Sequence, residues 1–284
     1  MLCKIGQVEV WRILDLLGPF KTPEELFPNA GPDVADQIKA LDPDGIFRST
    51  GHLILPIQGF LLKTGDQVIL IDSCVGHDKT VPSVPAWHQQ SGGRFMGSLA
   101  AAGVTTDDVD IVMCTHLHTD HVGWNTQLVD GRWVPTFANA KYILPKADEC
   151  DHRTDNTVMY QESVLPVVAN GQAELIEAPY ALNDAITLIP TPGHTEGHVS
   201  VQVESNGRRG LITGDAIHST AQCTYPEWHF KYDSDPVTAV ASRKQLLETV
   251  ASTGSTVLGS HFTLPSIGHV YDTNGTFSWK SRDD

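Results

Sequence analysis

Ile111-Val112-Met113-Cys114-Thr115-His116-Leu117-His118-Thr119-Asp120-His121-Val122-Gly123 is the stretch on which the reading of this 284-residue chain turns. A short apolar run, of the kind that suits a strand buried on both faces, ends at three imidazoles and a carboxylate within six residues. Packing does not account for such density. His and Asp are seldom buried without partners, and four of them at one strand end would repel or stay unsatisfied unless a cation organised them. Zinc takes neutral imidazole nitrogen and carboxylate oxygen at roughly 2.0–2.2 Å. A polar loop that merely holds histidines is the alternative in a chain with 13 His. A lone His-x-His would leave that alternative standing, whereas His-x-His-x-Asp-His directly after a hydrophobic strand is a specific metal signature.

The same pattern, an apolar run ending at His or Asp, recurs along the chain. Val68-Ile69-Leu70-Ile71 runs into Asp72, and Ile186-Thr187-Leu188-Ile189 leads through Thr191-Pro192-Gly193 to His194. Leu211-Ile212-Thr213 precedes Gly214-Asp215, and Val257-Leu258 precedes Gly259-Ser260-His261. Each of these ends alone is more often structural than functional. Together with the first cluster they offer enough ligands for two metals, and Asp215 is well placed to bridge two cations. Strands of this type imply an α/β protein whose sheets are covered by helices. A helix is expected from the cap at Ser234-Asp235-Pro236 to Gly254, with Val237, Val240, Ala241, Leu247 and Val250 as its apolar positions. A second is expected over Phe95 to Ala102, ending at Gly103. With no repeat, low-complexity tract or Pro/Gly/Ser-rich linker, residues 1–284 read as a single domain. The proline-rich segment from Pro19 to Ser49 reads as an extended arm or a lid.

The charge narrows the partners. Nineteen Lys+Arg against 34 Asp+Glu give a net charge of -15, which repels phosphate backbones and anionic membranes. A small-molecule partner is expected, with neither nucleic acid nor membrane. The five cysteines (Cys3, Cys74, Cys114, Cys150 and Cys223) are scattered, with no close pair, and read as reduced, mostly buried thiols. The first residues lack a basic region followed by an apolar run, and no stretch is apolar for long enough to span a bilayer. A cytoplasmic protein fits this. Nothing in the sequence decides between a monomer and a homodimer.

In motif order, from about Leu53 to His261, the chain resembles the metallo-β-lactamase superfamily. The resemblance implies a four-layered αββα sandwich with metals at one edge. It further implies two divalent metal ions, zinc first among the candidates, with His116, His118 and His194 on one, Asp120, His121 and His261 on the other, and Asp215 bridging. Asp72 matches the family's aspartate that supports a ligand from behind, although the usual Asp-Thr-Gly reads Asp72-Ser73-Cys74 here. His198, four residues past His194, is expected to be a hydrogen-bonded structural histidine, and His52, His77, His88, His152, His229 and His269 have no supporting context. The stretch Gly214-Asp215-Ala216-Ile217-His218, with Gln222 and Pro226-Glu227-Trp228, is most similar to the lactonase and organophosphate-hydrolase branch. In acyl-homoserine lactonases the position of His218 is a tyrosine that donates to the substrate carbonyl. His218 either takes that role or turns away and packs.

The resemblance implies a hydrolase that cleaves a lactone or other carboxylic ester by attack of a metal-bridging hydroxide, with Asp120 passing a proton to the leaving oxygen. The alternatives are an organophosphate triester hydrolase, a β-lactamase and, from a different class, a metal-bound ligand-binding protein; the complete ligand set speaks against the last. Trp124, Trp228 and Phe230 are candidates for lining a substrate pocket, though aromatic residues are more often core.

Overall fold

A computed structural model describes residues 1–282, so the last two residues of the expected domain lie outside it. The chain forms two compact units, each assembled from two segments: Met1–Leu16 with Ile57–Tyr180, and Leu17–Pro56 with the chain from Ala181 onward. One seven-stranded sheet runs in the order Cys3–Ile5, Val8–Pro19, Ile54–Thr64, Gln67–Ile71, Ile111–Met113, Lys141–Pro145, Ala173–Ile176. The other, also of seven strands, runs Tyr180–Asn183, Ile186–Pro190, Val199–Ser205, Arg208–Ile212, Thr256–Leu258, Ile267–Thr273, Thr276–Ser281. Two large sheets with their helices are the make-up expected of the αββα class.

In the first sheet the strands from Gln67–Ile71 to Ala173–Ile176 are mutually parallel. Parallel strands are covered on both faces and so read as continuous apolar runs; Ile69, Leu70, Ile71, Val112 and Met113 are all fully buried. That is why these strand ends are legible. Strand Ile186–Pro190 pairs antiparallel with its neighbour and alternates instead, with Ile186 and Leu188 inward and Thr187 and Ile189 half-buried.

The helix Pro236–Thr253 begins at Asp235, whose side chain accepts from the backbone N–H of Val237 and Thr238, and ends at Gly254 with φ +63°. Its buried face is Ala239, Arg243, Leu246, Leu247 and Val250. This corrects part of the expected apolar stripe: Leu247 and Val250 are buried as expected, whereas Val237 is 81% exposed and the 3–4 spacing that packs begins at Ala239. The other expected helix spans Phe95–Ala101. Pro19 to Ser49 is no free arm. Within the second unit it forms helices Pro23–Leu26, closed by a Thr22/Glu25 capping box, and Val34–Leu41, and it buries Leu26, Phe27, Val34 and Ile38 to 1% exposure or less. All five cysteines are free thiols and only Cys150 is exposed. No helix among the described residues is long and apolar enough to cross a membrane.

The first unit also buries a lysine. Lys79 donates to Thr126 Oγ1 at 2.6 Å and to the Glu162 carbonyl at 3.3 Å, and its Nζ lies 3.5 Å from the centre of the Trp133 ring. Burial pushes its pKa down to about 7, against roughly 10.4 unfolded. Below pH 7 both states hold the proton and the folded state carries the full cost of a buried charge. Between about pH 7 and 10 only the unfolded chain stays protonated, so stability rises with pH across that window. Lys79→Met should therefore be more stable than the parent at pH 6, by on the order of 2 kcal/mol once the lost contact with Trp133 is subtracted. Denaturant titrations should find that advantage shrinking toward zero by about pH 10. A gap independent of pH would mean that the ammonium is not the cause.

Candidate metal centre

In the first unit the strand Ile111–Met113 delivers Thr115 and His116 to the sheet edge, and His118 caps the short helix Thr119–Val122. His116 and His121 are buried, and the His116 ring centroid lies 4.6 Å from His118 and 4.1 Å from His121. Asp120 is partly open, with Oδ2 3.8 Å from His121 Nε2. Asp72 organises this edge from behind. Its Oδ1 accepts from the Thr115 N–H at 2.7 Å, and its Oδ2 accepts from Thr115 Oγ1 at 3.0 Å and lies 2.9 Å from His121 Nδ1. Thr115 Oγ1, its proton committed to Asp72, can only accept from His116 Nδ1, 3.1 Å away. Both imidazoles thus carry the proton on Nδ1 and offer Nε2 as a lone pair.

Ser73 and Cys74, standing where the resembled family has Thr-Gly, leave this carboxylate in position; Cys74 adopts φ +55°, a backbone that glycine would take without strain. Gly123 is required by contact: a Cβ there would lie 1.7 Å from the Val75 carbonyl oxygen. Trp124 is buried, 5% exposed, with its ring stacked on Phe95 at 5.4 Å and packed against His77 at 4.5 Å.

In the second unit the residues converge on Asp215. His194 Nε2 lies 3.3 Å from Asp215 Oδ2, His218 Nε2 lies 3.1 Å from the same oxygen, and His261 Nε2 lies 3.1 Å from Oδ1. His194 follows Gly193, whose φ is +123° and whose Cβ would fall 2.1 Å from the Ala239 backbone nitrogen, so the turn closes on the helix start only with glycine. Behind the ligand atoms, His194 Nδ1 is 2.9 Å from Asp233 Oδ1 and His261 Nδ1 is 2.8 Å from the Pro56 carbonyl oxygen. Both partners only accept, so each ring holds its proton on Nδ1 and turns a lone pair toward a carboxylate oxygen. Burial pushes His194 down to about 4, against the opposing pull of Asp233 and Asp215, so near neutrality no second proton relieves the clash. A cation does. Two donors on one tetrahedral zinc at about 2.0–2.1 Å stand about 3.3 Å apart, close to the spacing found. The nitrogen and oxygen donors therefore fit a divalent metal.

His218 differs from the other two. Its ring stacks on Phe230 at 3.6 Å and 14°, and its backbone N–H donates to Gln222 Oε1 at 2.7 Å. Burial lowers its pKa, and Nδ1 is buried with no hydrogen-bond partner among the described residues. The proton of this neutral ring therefore belongs on Nε2, facing Asp215. His198 behaves as its spacing implied: Nε2 accepts from the Asp215 N–H at 2.9 Å and Nδ1 is 2.9 Å from Thr191 Oγ1. Trp228 is buried and stacked on Tyr225 at 4.4 Å.

Two residues of this unit escaped the sequence reading, Asp233 and Arg243. The Arg243 guanidinium, fully buried, lies 3.6 Å from Asp233 and donates to the carbonyls of Ala216, Pro226 and Trp228. An arginine in the middle of the stripe Ala239, Leu246, Leu247, Val250 was the available signal, since a charge on a buried helix face demands a partner.

The profile of the metallo-β-lactamase superfamily matches residues 55–261. The chain belongs to that superfamily. An N-acyl homoserine lactonase from Bacillus sp. is 27% identical over 74% of this chain and 83% of its own, and another from Bacillus cereus is 26% identical over the same shares. Among solved structures, the hydrolase AbOPH of the β-lactamase superfamily is 25% identical, covers 99% of this chain and 97% of its own, and superposes with a TM-score of 0.82. The dizinc quorum-quenching lactonase AidC, at 22% identity, covers the same shares with a TM-score of 0.81 and shares the fold. This member of the superfamily is a metal-dependent hydrolase.

Proposed function

We propose that the chain is a dinuclear-zinc hydrolase that opens a lactone or cleaves another carboxylic ester. His116, His118 and His194 hold one ion, Asp120, His121 and His261 the second, and Asp215 is shared. The observation that carries this reading lies in the second unit, where the lone pairs of His194 and His261 face the two separate oxygens of Asp215. A carboxylate whose two oxygens each face a separate imidazole lone pair could be shared by two cations, which supports the reading. The lactonase relatives, at 25–27% identity over 70–74% of the chain, favour a lactone among the substrates of this superfamily.

When bound, a metal pair would supply an acidified water as nucleophile and a Lewis acid for the substrate carbonyl. The protein does the rest. Asp72 and Asp233 hold imidazoles in the tautomer that ligates, as such partners do elsewhere. Asp120, the least buried carboxylate of the set, carries the proton to the leaving oxygen. His218 Nε2–H donates to the oxygen that becomes anionic. Phe230, buried and stacked on His218, is the first candidate for contact with the acyl group because it adjoins that donor, ahead of Trp228 and of Trp124, whose ring packs on Phe95. Free thiols at all five cysteines suit a reducing compartment such as the cytoplasm.

A panel of short lactones, an aryl phosphotriester and a chromogenic cephalosporin, each assayed before and after chelation, tests the reading. Lactone opening should be fastest, should vanish on chelation and should return with zinc. Turnover that persists in metal-free protein would refute it, and a preference for the phosphotriester would move the enzyme to the organophosphate hydrolases.

A further inference from the structure

We propose that Arg243 and Asp233 are positioning residues for His194, forming a buried Arg243–Asp233–His194 chain that sets how tightly the His194 metal is held. The inference rests on His194 being a ligand and goes beyond it by naming what controls that ligand. The chain is continuous in the second unit. Arg243 lies 3.6 Å from Asp233 Oδ2, and Asp233 Oδ1 accepts from His194 Nδ1 at 2.9 Å. The Phe230 N–H donates to Asp233 Oδ2 at 2.8 Å, so the carboxylate is gripped on both oxygens and cannot rotate away from the imidazole.

Three features mark this as more than a packing contact. Arg243 and Asp233 are both buried, and burying an ion pair costs several kcal/mol of desolvation that a hydrophobic pair would avoid. Arg243 remains cationic near neutrality, although burial lowers its pKa to about 10. Most tellingly, the same guanidinium reaches both sides of the cluster: its Nε donates at 2.8 Å to the carbonyl of Ala216, the residue after Asp215, while its Nη2 sets a positive charge 3.6 Å from Asp233 Oδ2 as an ion pair. One side chain thereby fixes the separation between the turn that carries Asp215 and the acceptor that orients His194. Lysine has no planar fork and could not hold both.

The test is zinc affinity of metal-free protein, measured by competition with a chromogenic chelator, for the parent, His194→Ala, Asp233→Asn, Arg243→Lys and the Asp233→Asn/Arg243→Lys double variant. Circular dichroism and thermal unfolding of the metal-free forms report folding separately. Asp233→Asn is isosteric and carries the test if Arg243→Lys does not fold. Asp233→Asn and Arg243→Lys should each weaken one of two zinc equivalents about 10–100-fold, the range for such outer partners, and leave the other as in the parent, whereas His194→Ala should lose that equivalent. The double variant should be little worse than the weaker single one, because both act through one imidazole. Folded single variants with parental zinc affinity, or losses that simply multiply in the double variant, would overturn the chain. Parental zinc binding by His194→Ala would instead show that His194 is not a ligand, a failure of the functional reading rather than of the relay.

Discussion

Asp215→Ala is expected to lose both tightly bound metal equivalents and to depress ester or lactone turnover by on the order of 10⁴-fold, the largest effect of any single substitution in this chain. In the second unit this carboxylate is the counter-charge on which three imidazole nitrogens converge, within 3.1–3.3 Å. Without it, the inner nitrogens of His194, His218 and His261 would lose the carboxylate they face, the ion on His116, His118 and His194 would have neutral ligands only, and the other would keep Asp120 as its one anionic ligand. Loss of a single oxyanion donor costs about 10²–10³ in other enzymes; removing the shared ligand should exceed that, because it takes away the nucleophile's activation as well. His121→Ala is the comparison. Its removal withdraws one imidazole and leaves Asp72 bonded to Thr115 alone, so mainly one equivalent should weaken. Elemental analysis of the two purified variants, read beside their turnover, separates the cases. An Asp215→Ala protein with two metals and near-parental turnover would exclude Asp215 from the site.

Why some of this was legible in the sequence and some not has a physical cause. His116, Asp72, His194, Asp215 and His261 each stand just beyond an apolar run, and in a parallel or mixed sheet such runs must end where backbone can leave the core, so the site announces itself locally. The departures arise where function depends on partners distant in the chain. Asp233 follows no strand and no motif; its importance is a contact with His194, 39 residues earlier. Arg243 could have been read, but only with the helix face set correctly. The stripe Val237, Val240, Ala241, Leu247 and Val250 has its last two members right, but starting it at Val237 instead of Ala239 hid the arginine that lies between Ala239 and Leu246 on the buried face. The segment Pro19–Ser49 misled through its prolines. Pro23 sits where a helix tolerates it, at the first turn after Thr22, so what reads as an irregular arm contains two helices with buried apolar faces. The chain passes between its two units three times, and no local signal in the sequence marks those crossings.

His218→Phe should leave the metals in place and lower turnover about a hundredfold. The reason lies in where the protons of the second unit reside. His194 and His261 commit theirs to Asp233 and to the Pro56 carbonyl, on the side away from Asp215, and so can only accept or ligate on the inner side. His218 is the exception. Its Nδ1 has no hydrogen-bond partner among the described residues, and its Nε2 lies 3.1 Å from Asp215 Oδ2, which makes it the one ring of the three able to donate inward. A neutral imidazole with a single inward N–H suits an oxygen that gains charge during the reaction, the role a tyrosine hydroxyl fills at this position in the lactonases the sequence resembles. Phenylalanine keeps the flat stack on Phe230 and most of the volume, and removes only the donor. A loss confined to kcat, with KM and metal content as in the parent, is what a donor acting in the transition state produces. Parental turnover would assign His218 to packing against Phe230. Loss of one metal equivalent would mean that its proton sits on Nδ1 and that Nε2 is a ligand, which would add an eighth member to the proposed set and require the tautomer argument for this ring to be reversed.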